Sequence, residues 1–430
     1  MVKWMYKCAV TSLGCKVNQC EAEAIKKQMQ SVGYDICDFS EIADIYIINT
    51  CCVTSEGQRK SRQTVRKAIS LNKDAVVCVT GCAAQKDPEA FKNIEGVSLV
   101  LGNSQKHLLK EKIEEKLMGV FVNDMAKYDH YDEMPDSSCE KTRAFIKIQD
   151  GCNNFCSYCI IPYVRGRERS RNLENIIKEC ENLVSLGFKE IVINGIHLSS
   201  YGKEWQYNPD LKTVVESVCA IKGVQRVRLG SLEPRVITED FLKGISAFDE
   251  FCPNFHLSLQ SGSDTVLKRM NRKYLTQDYL SAVNLIRKYY PFASISTDII
   301  TGFPGETEEE FLQTLDFVKQ VGFAWIHVFP YSNREGTVAD KMQGQVEKNV
   351  KIQRAHILSE LANKMGKEYR AQFIGQIKTV LCETNENNIQ SGLTKEHILV
   401  QFESTLIENE IKKIKITKVT ENGLWGERID

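Results

Sequence analysis

Three cysteines within one short segment constrain this chain more than any other feature: Gly151-Cys152-Asn153-Asn154-Phe155-Cys156-Ser157-Tyr158-Cys159. The C-x-x-x-C-x-x-C spacing lies directly after residues 144–149, an apolar run that reads as a buried strand. Thiols placed this way converge on one soft-ligand centre, either zinc or an iron–sulfur cluster. A structural zinc needs four protein ligands in a closed tetrahedron. The next Cys or His residues are Cys180 and His197, and Cys180 falls in a helical pattern. Three thiolates on a four-iron cluster leave one iron open to a substrate or cofactor, and that reading is preferred.

The thiols are numerous, sixteen in 430 residues, so the compartment decides how they are read. Residues 1–7 lack the apolar core of a signal peptide, and no run approaches ~18 apolar residues. The expectation is a cytoplasmic protein with no membrane partner, where clustered cysteines bind metal or react instead of forming a disulfide framework. The charges cancel, 56 Lys+Arg against 56 Asp+Glu, which excludes a globally basic nucleic-acid coat but leaves room for a local patch.

The length implies two or three domains, and the pattern divides accordingly. Residues 6–11, 43–49, 75–80 and 97–101 read as strands, with helical stretches at 21–31 and 58–68 between them. This is the β-α rhythm of a parallel sheet covered by helices. Residues 127–141 are polar, carry Pro135 and two serines, and read as a linker. A second series follows, with strands at 144–149, 190–194, 226–230, 255–260, 294–300 and 325–331 and helices such as 173–186, 276–288 and 308–321. Six strand–helix units, where a closed barrel of this type needs eight, predict an open, partial (β/α)6 barrel. A long helix at 352–372 leaves it. Strands at 379–383, 397–402 and 411–419 then surround the turn Asn385-Glu386-Asn387-Asn388, a small all-β unit. The expected division is 1–126, the linker 127–141, 142–366 and 367–430.

A second thiol set is spread along the chain. Cys15, Cys51 and Cys82 each follow a strand of the first sheet, in Leu13-Gly14-Cys15, Asn49-Thr50-Cys51-Cys52 and Thr80-Gly81-Cys82. Loops after successive parallel strands open on one edge, so the three can meet there. On spacing alone Cys52 competes with Cys51.

With the aromatic Tyr158 before its last cysteine, at the first strand of a partial barrel, the 152–159 motif resembles the radical S-adenosylmethionine superfamily. The resemblance implies that the open iron chelates the cofactor, whose sulfonium is cleaved to a 5′-deoxyadenosyl radical. From Gly14-Cys15 to the terminal β unit, the chain resembles methylthiotransferases of the MiaB/MtaB type. That family implies an N-terminal domain binding a second 4Fe-4S cluster, a radical domain, and a C-terminal RNA-binding TRAM domain. It assigns Cys15, Cys51 and Cys82 to the second cluster and Cys152, Cys156 and Cys159 to the first. Cys8, Cys20, Cys37, Cys52, Cys78, Cys139, Cys180, Cys219, Cys252 and Cys382 match no ligand motif and read as packing thiols, Cys52 through the family register alone. Segments 152–163 and 195–202 look most like the MtaB branch, which implies threonylcarbamoyladenosine at position 37 of the tRNA anticodon stem-loop as substrate. The other branches imply isopentenyladenosine or a ribosomal-protein aspartate. An electron donor such as flavodoxin or ferredoxin and a sulfur donor are further implied partners.

Strand ends supply the expected S-adenosylmethionine contacts: Asn194 and Gly195 in the place of the superfamily glycine motif, Arg228, Ser231 and Glu233, Gln260, and Asp298. Arg165, Arg167, Arg169 and Arg171 crowd the loop after the first cluster and are expected to meet RNA phosphates. Lys412, Lys413 and Lys415 on one β segment are the other RNA candidates. The rival from another class is a non-catalytic iron–sulfur or zinc RNA-binding redox sensor, which leaves the strand-end residues without work.

Overall fold

Residues 45–50 are buried at all six positions, a pattern satisfied by a central strand covered on both faces. This computed structural model describes residues 6–135, 142–206, 209–405 and 408–429. Cys139 and the 136–141 end of the expected linker lie outside the described residues. The first strands are β1 (Lys7–Ser12), β2 (Asp35–Cys37), β3 (Ile45–Thr50), β4 (Val76–Gly81), β5 (Leu99–Leu101) and β6 (Gly119–Phe121). They form one parallel sheet in the order β2-β1-β3-β4-β5-β6. The edge strands β2 and β6, three residues each, were not expected; they are too short to leave a pattern. Helices Lys16–Ser31 and Ser55–Leu71 cover the sheet. The second is capped by Thr54, whose Oγ1 accepts from the Gly57 amide at 3.0 Å.

The middle of the chain contributes β7 (Arg143–Asp150), β8 (Arg169–Ser170), β9 (Glu190–Gly195), β10 (Arg226–Leu229), β11 (Asn254–His256), β12 (Ser294–Thr301) and β13 (Trp325–Pro330). They run as β10-β9-β7-β8 and β11-β12-β13, joined by parallel bridges Val227–Phe251 and Leu232–Leu257. Apart from the two-residue antiparallel β8, these are the six parallel strands expected of the partial barrel. Strand alternation sorts the side chains. Ala144, Ile146, Ile148, Ile191, Ile193, Val227, Phe255 and Ile295 point outward into one apolar core with the covering helices. The alternate residues, among them Arg143, Glu190, Arg228, His256, Asp298 and His327, line the lumen.

The last strands are β14 (Ile377–Glu386), β15 (Ile389–Thr394), β16 (Leu399–Glu403), β17 (Ile411–Val419) and β18 (Leu424–Arg428), closed into a barrel. Asn387 and Asn388 form the two-residue turn between β14 and β15, with φ of 53° and 64°, the left-handed pair a type I′ turn demands. Phe402 is core here, together with Phe373, Ile414 and Leu424.

This barrel seats on the base of the lumen through two buried arginines. Arg226 donates to the carbonyls of Leu393 at 2.7 Å and Thr379 at 2.8 Å, and Arg228 to that of Lys395 at 2.9 Å. Both face Glu190, which lies 2.8 Å from Arg228 and 3.6 Å from Arg226. The expectation that Arg228 meets the cofactor is thereby corrected. Its guanidinium is 2% exposed and saturated by Glu190 and by C-terminal carbonyls.

Burial alone would raise the Glu190 carboxyl, but Arg228, Arg226 and Arg143 hold it down to about 2. Its contribution is therefore complete above the ordinary glutamate value of 4.5 and is lost as pH falls from there toward 2. Glu190→Gln is expected to lower unfolding free energy at pH 7 by about 3 kcal/mol. It should also flatten the acid limb of the stability profile, both read by denaturant titration across pH.

Candidate active site

The loop after β7 is shaped by its glycine and by one distant segment. Gly151 has φ +71°, and a Cβ there would overlap the Arg167 carbonyl, so no other residue fits without moving the loop. Phe155 also takes a positive φ, 47°. The segment after helix Asp264–Arg269 grips the loop: Ser157 Oγ donates to the Arg269 carbonyl at 2.6 Å and Asn271 Nδ2 to that of Phe155 at 2.9 Å. Arg272, 6% exposed on its side chain, places Nη1 3.2 Å from Cys156 Sγ. Burial pushes the Cys152 and Cys159 thiols up to about 12. Tyr158 packs beside Val266, Met270, Phe303 and Tyr331 as the wall behind the loop.

The rim residues divide. Glu233 faces the loop: Asn154 Nδ2 donates to its Oε1 at 2.8 Å, His197 Nε2 lies 3.3 Å from Oε2, and Arg272 Nη2 lies 3.2 Å from Oε1. Burial opposes its ionisation, yet the His197 hydrogen bond and the Arg272 charge hold its carboxyl down to about 2. Gln260 has φ 74°, an unusual backbone for a non-glycine residue, at the point where its amide and carbonyl bridge to Asp298 and Ile300. Asp298 faces the lumen 3.3 Å from His256 Nε2. Ser231 is exposed at the rim. Asn194 Nδ2 is turned back to the Val192 carbonyl at 3.0 Å. Gly195 answers first to packing, since a Cβ there would stand 2.9 Å from Gln149 Cβ and 3.0 Å from Leu198.

The second thiol set also gathers at one edge. Cys15, Cys51 and Cys82 follow the adjacent parallel strands β1, β3 and β4. Gly14, φ +92°, passes so close to Cys51 that a Cβ would sit 2.5 Å from its Sγ. Arg165 Nε reaches Cys82 Sγ at 3.3 Å, and its charge is felt at Cys15 and Cys51 as well. Cys15 is exposed, whereas Cys51 and Cys82 are 5% and 2% exposed, so the set opens outward through Cys15. Cys52 is 1% exposed in the apolar core of the first sheet but within electrostatic reach of Cys51 and Cys82.

Each triad suits an iron–sulfur cluster in the chemistry of its donors. All are thiols, and each set has an arginine at one sulfur, Arg165 at Cys82 and Arg272 at Cys156. Among the described residues, no three His, Cys, Asp or Glu groups are already drawn to the separation at which they share one ion. Arg165 ties the second set to the end of β7, two residues before Cys152. Its guanidinium pairs with Glu21 at 2.9 Å and Asp150 at 3.0 Å and donates to Asn18 Oδ1 at 2.7 Å.

That geometry corrects three of the four arginine expectations. Arg165 is 0% exposed and consumed by this network. Arg169 is buried, donates to the carbonyls of Arg165 and Arg167, and lies over the Tyr128 ring. Arg171 is buried between Glu133 and Glu179. Alternation along the segment concealed this, because the residues do not form a regular strand with one solvated face. Only Arg167 is exposed, its guanidinium 4.6 Å above the Phe155 ring. On β17, Lys413 and Lys415 point outward, while Lys412 is half-buried and paired with Glu410 at 2.7 Å.

Several lumen residues escaped the sequence reading: His197, Arg272, Lys16, and Trp325, His327 and Phe329 on β13. For β13 the signal was present, since Trp325, His327 and Phe329 alternate with the core-facing Ile326 and Val328. The contrast between Arg165 and Arg167 is measurable. Arg165→Ala is expected to destabilise the fold by about 3 kcal/mol, because it removes one of the shared cations from the buried Glu21–Asp150 network and leaves Asn18 Oδ1 without its donor. Arg167→Ala should leave the melting temperature within a degree or so while weakening binding to an RNA stem-loop and reducing its salt slope by about one.

A family model for the radical SAM superfamily matches residues 146–318, and one described as uncharacterized protein family UPF0004 matches residues 7–102. The chain is 41% identical over 425 residues to threonylcarbamoyladenosine tRNA methylthiotransferase MtaB of Bacillus subtilis, covering 96% of this chain and 94% of that protein. It is 38% identical to MtaB of Chlamydia pneumoniae, covering 99% and 98%. It is 36% identical to tRNA-2-methylthio-N(6)-dimethylallyladenosine synthase of Clostridium novyi, covering 98% and 96%. Among solved structures, the radical S-adenosylmethionine methyltransferase TsrM of Kitasatospora setae, with cobalamin and a 4Fe-4S cluster bound, superposes with a TM-score of 0.59. The two are 14% identical over 90% of this chain and 80% of that one, a likeness of fold. With identity of this order over nearly its whole length, and a radical SAM model matched across most of the barrel, the chain belongs to the radical S-adenosylmethionine methylthiotransferase family of the MiaB/MtaB type, and it is a transferase.

Proposed function

We propose that the chain methylthiolates carbon 2 of threonylcarbamoyladenosine at position 37 of tRNA, consuming two S-adenosylmethionine molecules and holding two 4Fe-4S clusters. The observation that carries the reading is the pair of thiol triads, Cys152/Cys156/Cys159 and Cys15/Cys51/Cys82, the second tied by Arg165 to Asp150 at the end of the strand that leads into the first. When bound, the cluster on the first triad would supply the electron that cleaves the sulfonium of S-adenosylmethionine to a 5′-deoxyadenosyl radical.

The chain's own residues then have defined work. Arg272 donates from Nη1 to Cys156 Sγ at 3.2 Å and so orients that sulfur. Glu233, kept ionised by His197 and Arg272, is an acceptor for the cofactor's ammonium or hydroxyl groups, joined by Ser231, Gln260, Asp298 and the backbone at Asn194 and Gly195. Arg167, Lys413 and Lys415 are the exposed cations offered to RNA phosphates. Residues 1–126 would carry the second cluster, 142–366 the radical chemistry, and 367–430 would be the RNA-binding part. A reduced flavodoxin or ferredoxin, a sulfur donor and a cytoplasmic setting complete the proposal.

The second reading, isopentenyladenosine as substrate, is favoured by the 36% identity to a dimethylallyladenosine synthase. It ranks below the first because the MtaB-named relatives reach 41%. The 165–171 arginines no longer bear on the choice between RNA and a ribosomal protein, since three of them are internal.

Nucleoside analysis of tRNA from a deletion strain should show loss of methylthiolated threonylcarbamoyladenosine; loss of the isopentenyl analogue instead selects the second reading. Replacing Cys152, Cys156 and Cys159 with Ala should abolish 5′-deoxyadenosine formation, and persistent cluster-dependent cleavage would sink the radical assignment. The reconstituted protein should hold about eight iron atoms per chain, against about four if Cys15, Cys51 and Cys82 bind none.

A further inference from the structure

The lumen face of β13 is unlike the rest of the barrel. Trp325 is 40% exposed and Phe329 44%, and His327 between them is exposed too. The three rings line one side of the lumen, Trp325 edge-on to His327 at 79° with centroids 5.5 Å apart and His327 tilted by 34° to Phe329 with centroids 6.3 Å apart. Packing does not call for it, because Ile326 and Val328 already supply this strand's contribution to the core. His256 and Asp298 stand beside the wall on the neighbouring strands.

The lumen's cations are mostly engaged. Arg143 is paired with Glu383 at 2.7 Å, Arg226 and Arg228 with Glu190, and Lys147 with Glu21 and Asp150. Lys16 is the exception among the described residues. It is exposed, it has no carboxylate or carbonyl partner, and its only close contact of note is the Phe145 ring, 5.5 Å from Nζ. Its charge is felt at His327 on β13 and at His397, whose ring is tilted by 50° against Trp325 with centroids 5.6 Å apart. Exposed aromatic faces set at angles to one another, with one unpaired cation facing the same lumen, suit a planar ring bearing an anionic substituent.

We propose that Trp325, His327 and Phe329 are the wall against which an extruded purine lies, and that Lys16 receives the carboxylate of its exocyclic substituent. Lys16 is thereby the residue that distinguishes acidic from neutral substrates. The inference rests on the function proposed above and adds how the substrate is selected. Because Lys16 directly follows Cys15, the anchor for the substituent and a ligand of the second thiol set belong to one turn of chain.

The test uses the reconstituted full-length protein and synthetic anticodon stem-loops carrying threonylcarbamoyladenosine, its methyl ester or isopentenyladenosine at position 37. The wild type should bind the acid about tenfold more tightly than the ester, a comparison that needs no variant. Lys16→Met should bind acid and ester alike with iron content unchanged, and Lys16→Arg should restore the preference. Trp325→Leu should weaken binding of all three loops about tenfold, and Trp325→Phe should recover most of it. If the wild type methylthiolates the acid but binds the ester equally well, or if Lys16→Met keeps the preference, the inference is overturned while the proposed function stands. If the wild type modifies only the isopentenyl loop, the proposed function fails. Lys16 then has no anion to receive, and the Trp325 pair alone decides whether the aromatic wall holds a base.

Discussion

The buried guanidinium of Arg165 is the constraint on which the arrangement turns. A cation at 0% exposure would be expelled without compensation, and here it has Glu21, Asp150, Asn18 and Cys82 around it. Glu21 and Asn18 come from the helix after the first strand, Asp150 from the end of β7, and Cys82 from the turn after β4. Lys106 and Lys147 complete the charge balance at Glu21, whose carboxyl they and Arg165 hold well below the ordinary range against the effect of burial. No sheet can shift against the barrel without separating these charges, so the orientation of the two thiol triads is set by electrostatics as much as by apolar packing.

The architecture was legible wherever a segment was buried on a defined set of faces. All six parallel barrel strands left apolar runs, and helix Glu308–Val321 was bounded to the residue because Thr307 and Glu310 form a capping box. What left no trace was short, as β2, β6 and β8 are, or lacked a run of apolar residues, as β15 and β18 of the terminal barrel do. The Asn-rich turn was legible because left-handed backbone at two successive residues favours asparagine.

Side-chain roles were less readable than positions. Arg165, Arg167, Arg169 and Arg171 look equivalent as a string, yet three face inward carboxylates or carbonyls and one faces solvent. Partners such as Glu21 and Glu179 lie far away or on another element, so no local pattern announces them. Arg228 failed for the same reason, its carbonyl partners being more than 150 residues away in the terminal barrel and Glu190 on another strand. The positions of the cysteines were easier to read, since one set is local and the other follows the strand rhythm itself.

The seat formed by Arg226, Arg228 and Glu190 makes the terminal barrel the floor of the cavity whose walls are β7 and β9–β13. A cavity of about 200 Å3 at that junction is lined by Ser294, Ser296 and Trp325 from the walls and by Glu396 and His397 from the floor. Shortening the chain before residue 377 would thus do more than remove an appendage. It would unplug the vessel from below, hydrate three charged groups now held dry, and let solvent enter from the end opposite the thiols. The chain's last fifty residues are in that sense part of the reaction chamber's insulation, and their sequence is tied to that of β9 and β10 through shared hydrogen bonds.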